Sequence, residues 1–107
     1  MVFIVIQAWY PAKVAPLVAQ KYIEVMQKYP PDDSLGKMVL APITAPTKDG
    51  IHVIMAWKCK DGKERESLMT LAKTQLMYAD IEGYKWSMDT YVDVFEAYSI
   101  IGMKGPQ

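Results

Sequence analysis

Residues 2–11 read VFIVIQAWYP: five apolar side chains in a row, a lone glutamine at position 7, then alanine, two aromatics and a proline. A membrane-crossing helix needs about 20 apolar residues, and a secretory leader needs a basic start and a small-residue cleavage site. The stretch has neither. Its valines, isoleucines and aromatics suit a pleated strand, its shortness suits one covered on both faces, and Pro11 closes it. Residues 51–59, IHVIMAWKC, repeat the pattern and read as a second strand of the same kind.

Period and punctuation organise the remainder. Val14, Val18, Tyr22, Val25 and Tyr29 recur at helical spacing opposite Lys13, Gln20, Lys21, Glu24 and Gln27, so a first helix is predicted. Pro16 places its start near Lys13 to Ala15, and Pro30 with Pro31 ends it. Lys37 to Thr44 reads as a strand. Pro42 within it lacks a donor and belongs at a sheet edge. APTKDG, 45–50, reads as a turn. After the KDGK turn, Leu68, Leu71, Ala72, Gln75, Leu76 and Ala79 predict a second amphipathic helix running to about Asp80. Tyr84 to Asp89 alternates as a wetter edge strand would, and Thr90 with Asp93 predicts the start of a short last helix that stops at Gly102. Residues 1–102 form the expected single domain and 103–107 a loose tail.

This is an α+β chain in the order βαββαβ with a short C-terminal helix, the ferredoxin-like sandwich with an antiparallel four-stranded sheet. That topology puts the first and third strands in the centre, where the doubly apolar ones are needed. The edges fall to the proline-bearing and the alternating strand.

Two helices on one face leave the other face of the central strands bare. The element order, the two-sided strands and the terminal SIIGM (99–103) resemble the dimeric α+β barrel superfamily, and within it small uncharacterised prokaryotic members. The resemblance implies a homodimer paired through the sheet face around an interior cavity.

Side-chain alternation assigns the faces. Val2, Ile4, Ile6 and Ala8, Ile51, Val53, Met55 and Trp57, and Tyr84, Trp86 and Met88 form the dry phase. Phe3, Val5, Gln7 and Trp9, His52, Ile54, Ala56 and Lys58, and Lys85, Ser87 and Asp89 form the other. With Tyr10, Ile51 and Tyr84 at one end of the sheet, Trp9 falls between His52 and Lys85 and Gln7 between Ile54 and Ser87, with Asp89 beside Val5, to within about two residues. Gln7, Trp9, His52, Ser87 and Asp89 are the candidate ligand-binding residues: an aromatic wall and a few polar groups in an apolar setting orient a small molecule. His52 is the candidate catalytic base, since an imidazole can move a proton near neutral pH. The ordinary role of a single histidine or a strand glutamine is a hydrogen bond, and of Trp9 interface packing.

Composition narrows the function classes. Twelve basic and twelve acidic residues leave no net charge to select nucleic acid or an anionic membrane. Cys59 is the only cysteine, so there is no internal disulfide and no multi-thiolate metal site. It suits the cytoplasm and reads as a thiol half-buried at a strand end. The one arginine, Arg65, is misplaced for an acylphosphatase-like phosphate loop. RNA-recognition aromatics, CxxC, GxGxxG, P-loop and Ser-His-Asp patterns are absent. The mixed-sign run 58–66 reads as a solvated turn and helix start. No metal and no cofactor are expected. The expected function is a homodimer that binds a small apolar or aromatic ligand, regulatory in role. The alternative that the resemblance implies is a cofactor-independent monooxygenase, an isomerase or a haem-degrading enzyme. In the last of these an asparagine joins tryptophan and histidine, and this chain has no asparagine.

Overall fold

The computed structural model describes residues 1–105. Strand β1 (Val2–Tyr10) leads through a 3-10 turn (Ala12–Val14) into helix α1 (Ala15–Lys28); β2 (Gly36–Thr47) and β3 (Gly50–Cys59) form a long hairpin; α2 (Glu64–Leu76), β4 (Lys85–Val92) and α3 (Val94–Ile100) follow. The four strands make one open antiparallel sheet in the order β2-β3-β1-β4. The two doubly apolar strands are central and the proline-bearing strand is at an edge. The chain is thus α+β, with a four-stranded antiparallel sheet and three α-helices.

The edge strand β2 bulges twice, and the second bulge absorbs Pro42. Its register against β3 slips between Met38 and Leu40, and again between Leu40 and Ile43, the interval that holds Pro42. Each extra residue exchanges the two faces, so the pair restores the original alternation beyond Pro42. The expected turn at 45–50 shrinks accordingly: Ala45, Pro46 and Thr47 stay in the ladder. Thr47 Oγ1 donates to the Gly50 carbonyl at 2.7 Å and accepts from the Asp49 amide at 3.2 Å. Gly50, at φ 117°, makes the reversal.

Two other boundaries differ from expectation. β4 runs on through Val92 because Phe3 and Val2 offer Tyr91 and Val92 ladder partners. The cap of α3 is therefore Asp93, whose Oδ1 accepts from the Glu96 amide at 2.8 Å, and not Thr90. The stop at Gly102 is as expected: with φ 74° it lets the amides of Gly102 and Met103 bond back to Ser99 and Tyr98. Helix α2 ends at Leu76, not Asp80, and the chain continues through i to i−3 turns. Of the predicted tail, Gly105 lies against Phe95, and residues 106 and 107 lie outside the described residues.

Both long helices pack on one face of the sheet. Ile4 and Cys59 are each only 1% exposed there. Burial pushes the Cys59 thiol pKa up, so it is an inert part of the core rather than half-buried. The buried residues fall into two clusters. One gathers Tyr10, Val14, Val18, Val25, Tyr78 and Ile81, and the other Ile4, Ile6, Met55, Trp57 and Cys59. Trp86, expected on the dry face, lies on β4 beyond the helices' cover and is exposed. Among the described residues no helix is long and apolar enough to cross a membrane.

Candidate functional site

The face away from α1 and α2 is a grid four strands wide. Its rows follow from the register: Lys37, Lys58, Phe3 and Tyr91; Leu40, Ala56, Val5 and Asp89; Ile43, Ile54, Gln7 and Ser87; Ala45, His52, Trp9 and Lys85. Trp9 sits between His52 and Lys85, Gln7 between Ile54 and Ser87, and Asp89 beside Val5, as the alternation and strand ends predicted. The middle rows are apolar except for Gln7, Ser87 and Asp89, and lysines stand at two of the four corners, Lys37 and Lys85, with Lys58 beside the first. Trp9 is 38% exposed and Ile43 54% exposed, so among the described residues no element seals this surface.

Three of the five candidate residues form one unit. The rings of Trp9 and His52, directly paired across β1 and β3, stack with centroids 5.1 Å apart and planes 9° from parallel. His52 Nε2 lies 2.9 Å from Gln7 Oε1. An amide oxygen only accepts, so in this arrangement Nε2 carries the hydrogen, and in the neutral ring Nδ1 keeps its lone pair. Gln7 thereby fixes both tautomer and ring orientation, while Trp9 holds the ring flat. Ser87 is paired with Gln7 across β1 and β4, yet neither it nor Asp89 hydrogen-bonds to the Gln7–His52 pair among the described residues. They flank the unit and are not part of it. No three His, Cys, Asp or Glu side chains among the described residues gather as metal ligands would.

The opposite face holds a feature that alternation does not announce. Between α1, α2 and the sheet lies a cleft of about 470 Å³. The residues of α2 that turn fully inward are Ser67 and Thr74, not its leucines; Leu76 is 61% exposed. Ser67 Oγ accepts from Trp57 Nε1 at 3.1 Å and donates to the Leu35 carbonyl at 3.0 Å. A buried indole N–H must find an acceptor, and that requirement sets the rotation of the helix. At the other end Tyr84 stacks on Tyr78 and on Tyr10, and its hydroxyl donates to Gln75 Oε1 at 2.7 Å. Burial, then the neighbouring phenols, push Tyr78 up to about 12 and Tyr84 higher still; burial also raises Tyr10. The sequence signal for the cleft was the polar residues at positions 67, 70, 74 and 75 of α2.

Comparison with known proteins gives no assignment. The chain matches no protein-family profile and no curated protein sequence. Among solved structures it is similar to the uncharacterized protein TM1266 from Thermotoga maritima, at 10% identity and a TM-score of 0.48 over 85% of this chain and 96% of that one. It is also similar to the C-terminal domain of the MgtC protein from Mycobacterium tuberculosis, at 13% identity and a TM-score of 0.47 over 86% of each chain. The de novo designed protein Foldit4 scores 0.48 at 10% identity, over 86% of this chain and 96% of that one.

Proposed function

We propose that the chain is a ferredoxin-like member of the dimeric α+β barrels, pairing with a second copy through the open sheet face and holding a small aromatic or apolar molecule between the sheets. The observation that carries this reading is the Trp9–His52–Gln7 unit standing on a face that no helix covers. Uncovered apolar rows invite a second apolar surface. A second sheet meets that need, and the corner lysines keep its edges wet. Inside, Trp9 supplies a flat wall, and His52 Nδ1 accepts one hydrogen bond from the ligand. Helix α3 supports the same pairing: none of its residues is buried, and Val94, Phe95, Ile100 and Ile101 all face outward.

Light scattering at micromolar concentration tests the pairing. Wild type should have twice the chain mass and Val5→Lys, which puts a charge among the apolar rows, the mass of one chain. A monomeric wild type sinks the proposal. Native mass spectrometry of the protein as purified should then find a bound molecule in the dimer.

The free Nδ1 favours one second reading: a base for removing a proton from a bound substrate, as in the cofactor-independent monooxygenases and isomerases of this group. A haem-degrading version fits the residues least, because Nε2 is committed to Gln7 and the chain has no asparagine. Identical visible spectra of wild type and His52→Ala with added haemin would remove His52 as an iron ligand.

A further inference from the structure

We infer that the cleft between α1, α2 and the sheet is a separate binding site for a neutral, largely apolar small molecule with one hydrogen-bonding end. Its volume, about 470 Å³, lies within the range of small-molecule pockets, roughly 300–1,000 Å³. Protein interiors are packed like organic crystals, and a small sheet covered by two helices normally has one continuous core. Here the core is divided, and the cleft lies between the halves: Tyr10 and Val18 of one cluster and Met55 and Trp57 of the other line the same space. An apolar occupant would complete that core.

The lining defines the occupant's chemistry. Met26, Met38 and Met55 give a surface that adapts to shape. Trp57 presents its ring with the indole N–H already satisfied by Ser67. Among the described residues the only charged one on the lining is Asp32, at the exposed mouth, and its Oδ1 is taken by the amide and hydroxyl of Ser34. With no cation present, a carboxylate or phosphate would be buried unpaired, so the site selects against anions. A single polar group can be met at the Gln75 end. The carbonyl of that amide is held by Tyr84, which leaves its two N–H hydrogens free among the described residues, and Thr70, five residues earlier on the same helix, also lines the cleft. This site is on the other side of the sheet from the Trp9–His52–Gln7 unit, and its occupancy does not depend on pairing.

The test is a fluorescence titration of the full chain with N-phenyl-1-naphthylamine, a neutral apolar dye. Saturable enhancement at one dye per chain is expected, displaced by 1-decanol and by decanoate only at concentrations about tenfold higher or more. Thr70→Trp and Ala19→Trp each fill the cleft from one helix and should weaken dye binding about tenfold or more with unchanged circular dichroism; if one fails to fold, the other decides. Val5→Lys, which disrupts only the open face, should leave dye affinity unaltered. Absence of enhancement, or full affinity in the folded cleft-filling variants, overturns the site. Loss of binding in Val5→Lys moves the dye to the sheet face and also overturns it, without touching the dimer proposal. Equal displacement by decanoate overturns the neutral ligand class.

Discussion

The two faces of this sheet come from the same strands in alternation, yet they solve the burial of polar groups differently. On the helix face two polar groups near the sheet answer to a helix: Trp57 to Ser67, Tyr84 to Gln75. On the open face a close polar contact runs between strands, Gln7 to His52, and is locked by a stacked tryptophan. The difference is one of rigidity and access. Helix-side pairs fix the positions of secondary elements, whereas the strand-to-strand pair fixes a side chain that solvent and ligands can reach.

Raising the pH should expose this contrast most strongly. A neutral phenol is the form the helix face accepts, and the folded-state pKa values of Tyr10, Tyr78 and Tyr84 lie above that of an unfolded tyrosine, near 10. Above pH of about 10 the unfolded chain loses these protons first, so the folded chain binds more of them and stability falls as pH rises. The contribution is complete below that point and lost as the pH passes Tyr78's value of about 12. Absorbance of tyrosinate near 295 nm should show three of the seven tyrosines ionising late and together with unfolding. Seven independent exposed titrations would contradict the buried stack.

Truncation of adjacent residues compares the faces directly. Ile4 points to the helices and is 1% exposed, while Val5 points the other way and is half-buried. Ile4→Ala should lower the unfolding free energy by about 2–5 kcal/mol and Val5→Ala by less than about 1 kcal/mol in dilute urea titrations. If the open face pairs with a second copy, the Val5→Ala cost grows with protein concentration and the Ile4→Ala cost does not. Equal costs at every concentration would abolish the distinction.

Three of the four columns of the open-face grid were legible because β1, β3 and β4 carry their own register marks, whereas the bulged β2 does not. Pro11, Gly50 and Gly83 fix the strand ends, and Gln7 and His52 mark one phase. What local pattern could not supply was set by partners distant in sequence. The apolar spacing of Leu68, Leu71 and Leu76 predicts one inward face for α2; Leu68 and Leu71 do pack on the core, but Leu76 is exposed, and the Trp57 indole finds its acceptor in Ser67, which turns fully inward beside them. Thr90 has the chemistry of a cap, but the ladder with β1 claims it first. The cleft is a property of what the two helices leave unfilled: the polar residues at 67, 70, 74 and 75 mark its α2 wall, but not the gap beside it.

Ser67→Ala sharpens the point about α2. It leaves the Trp57 N–H and the Leu35 carbonyl without their shared hydroxyl, at a cost of about 1–3 kcal/mol read by urea unfolding. Ser67→Thr keeps the oxygen and should recover part of that loss. If Ser67→Ala costs nothing, packing alone sets the rotation of α2.

The smallest energetic effect belongs to Gln7→Leu, because the bond to His52 is partly solvated. Its loss should change stability by only about 0.5–1.5 kcal/mol. The tautomer is where the effect should concentrate. With Gln7 accepting from Nε2, wild-type His52 holds its hydrogen there. Nitrogen-15 spectra of the neutral imidazole should show one protonated and one bare nitrogen. Without the amide nothing on this face selects between the nitrogens, and Gln7→Leu should give averaged shifts while the Trp9 stack persists. Gln7→Glu keeps an acceptor in place and should retain the wild-type tautomer. Unchanged spectra in Gln7→Leu would mean that the stack alone orients the ring, and the glutamine would then be available to a ligand.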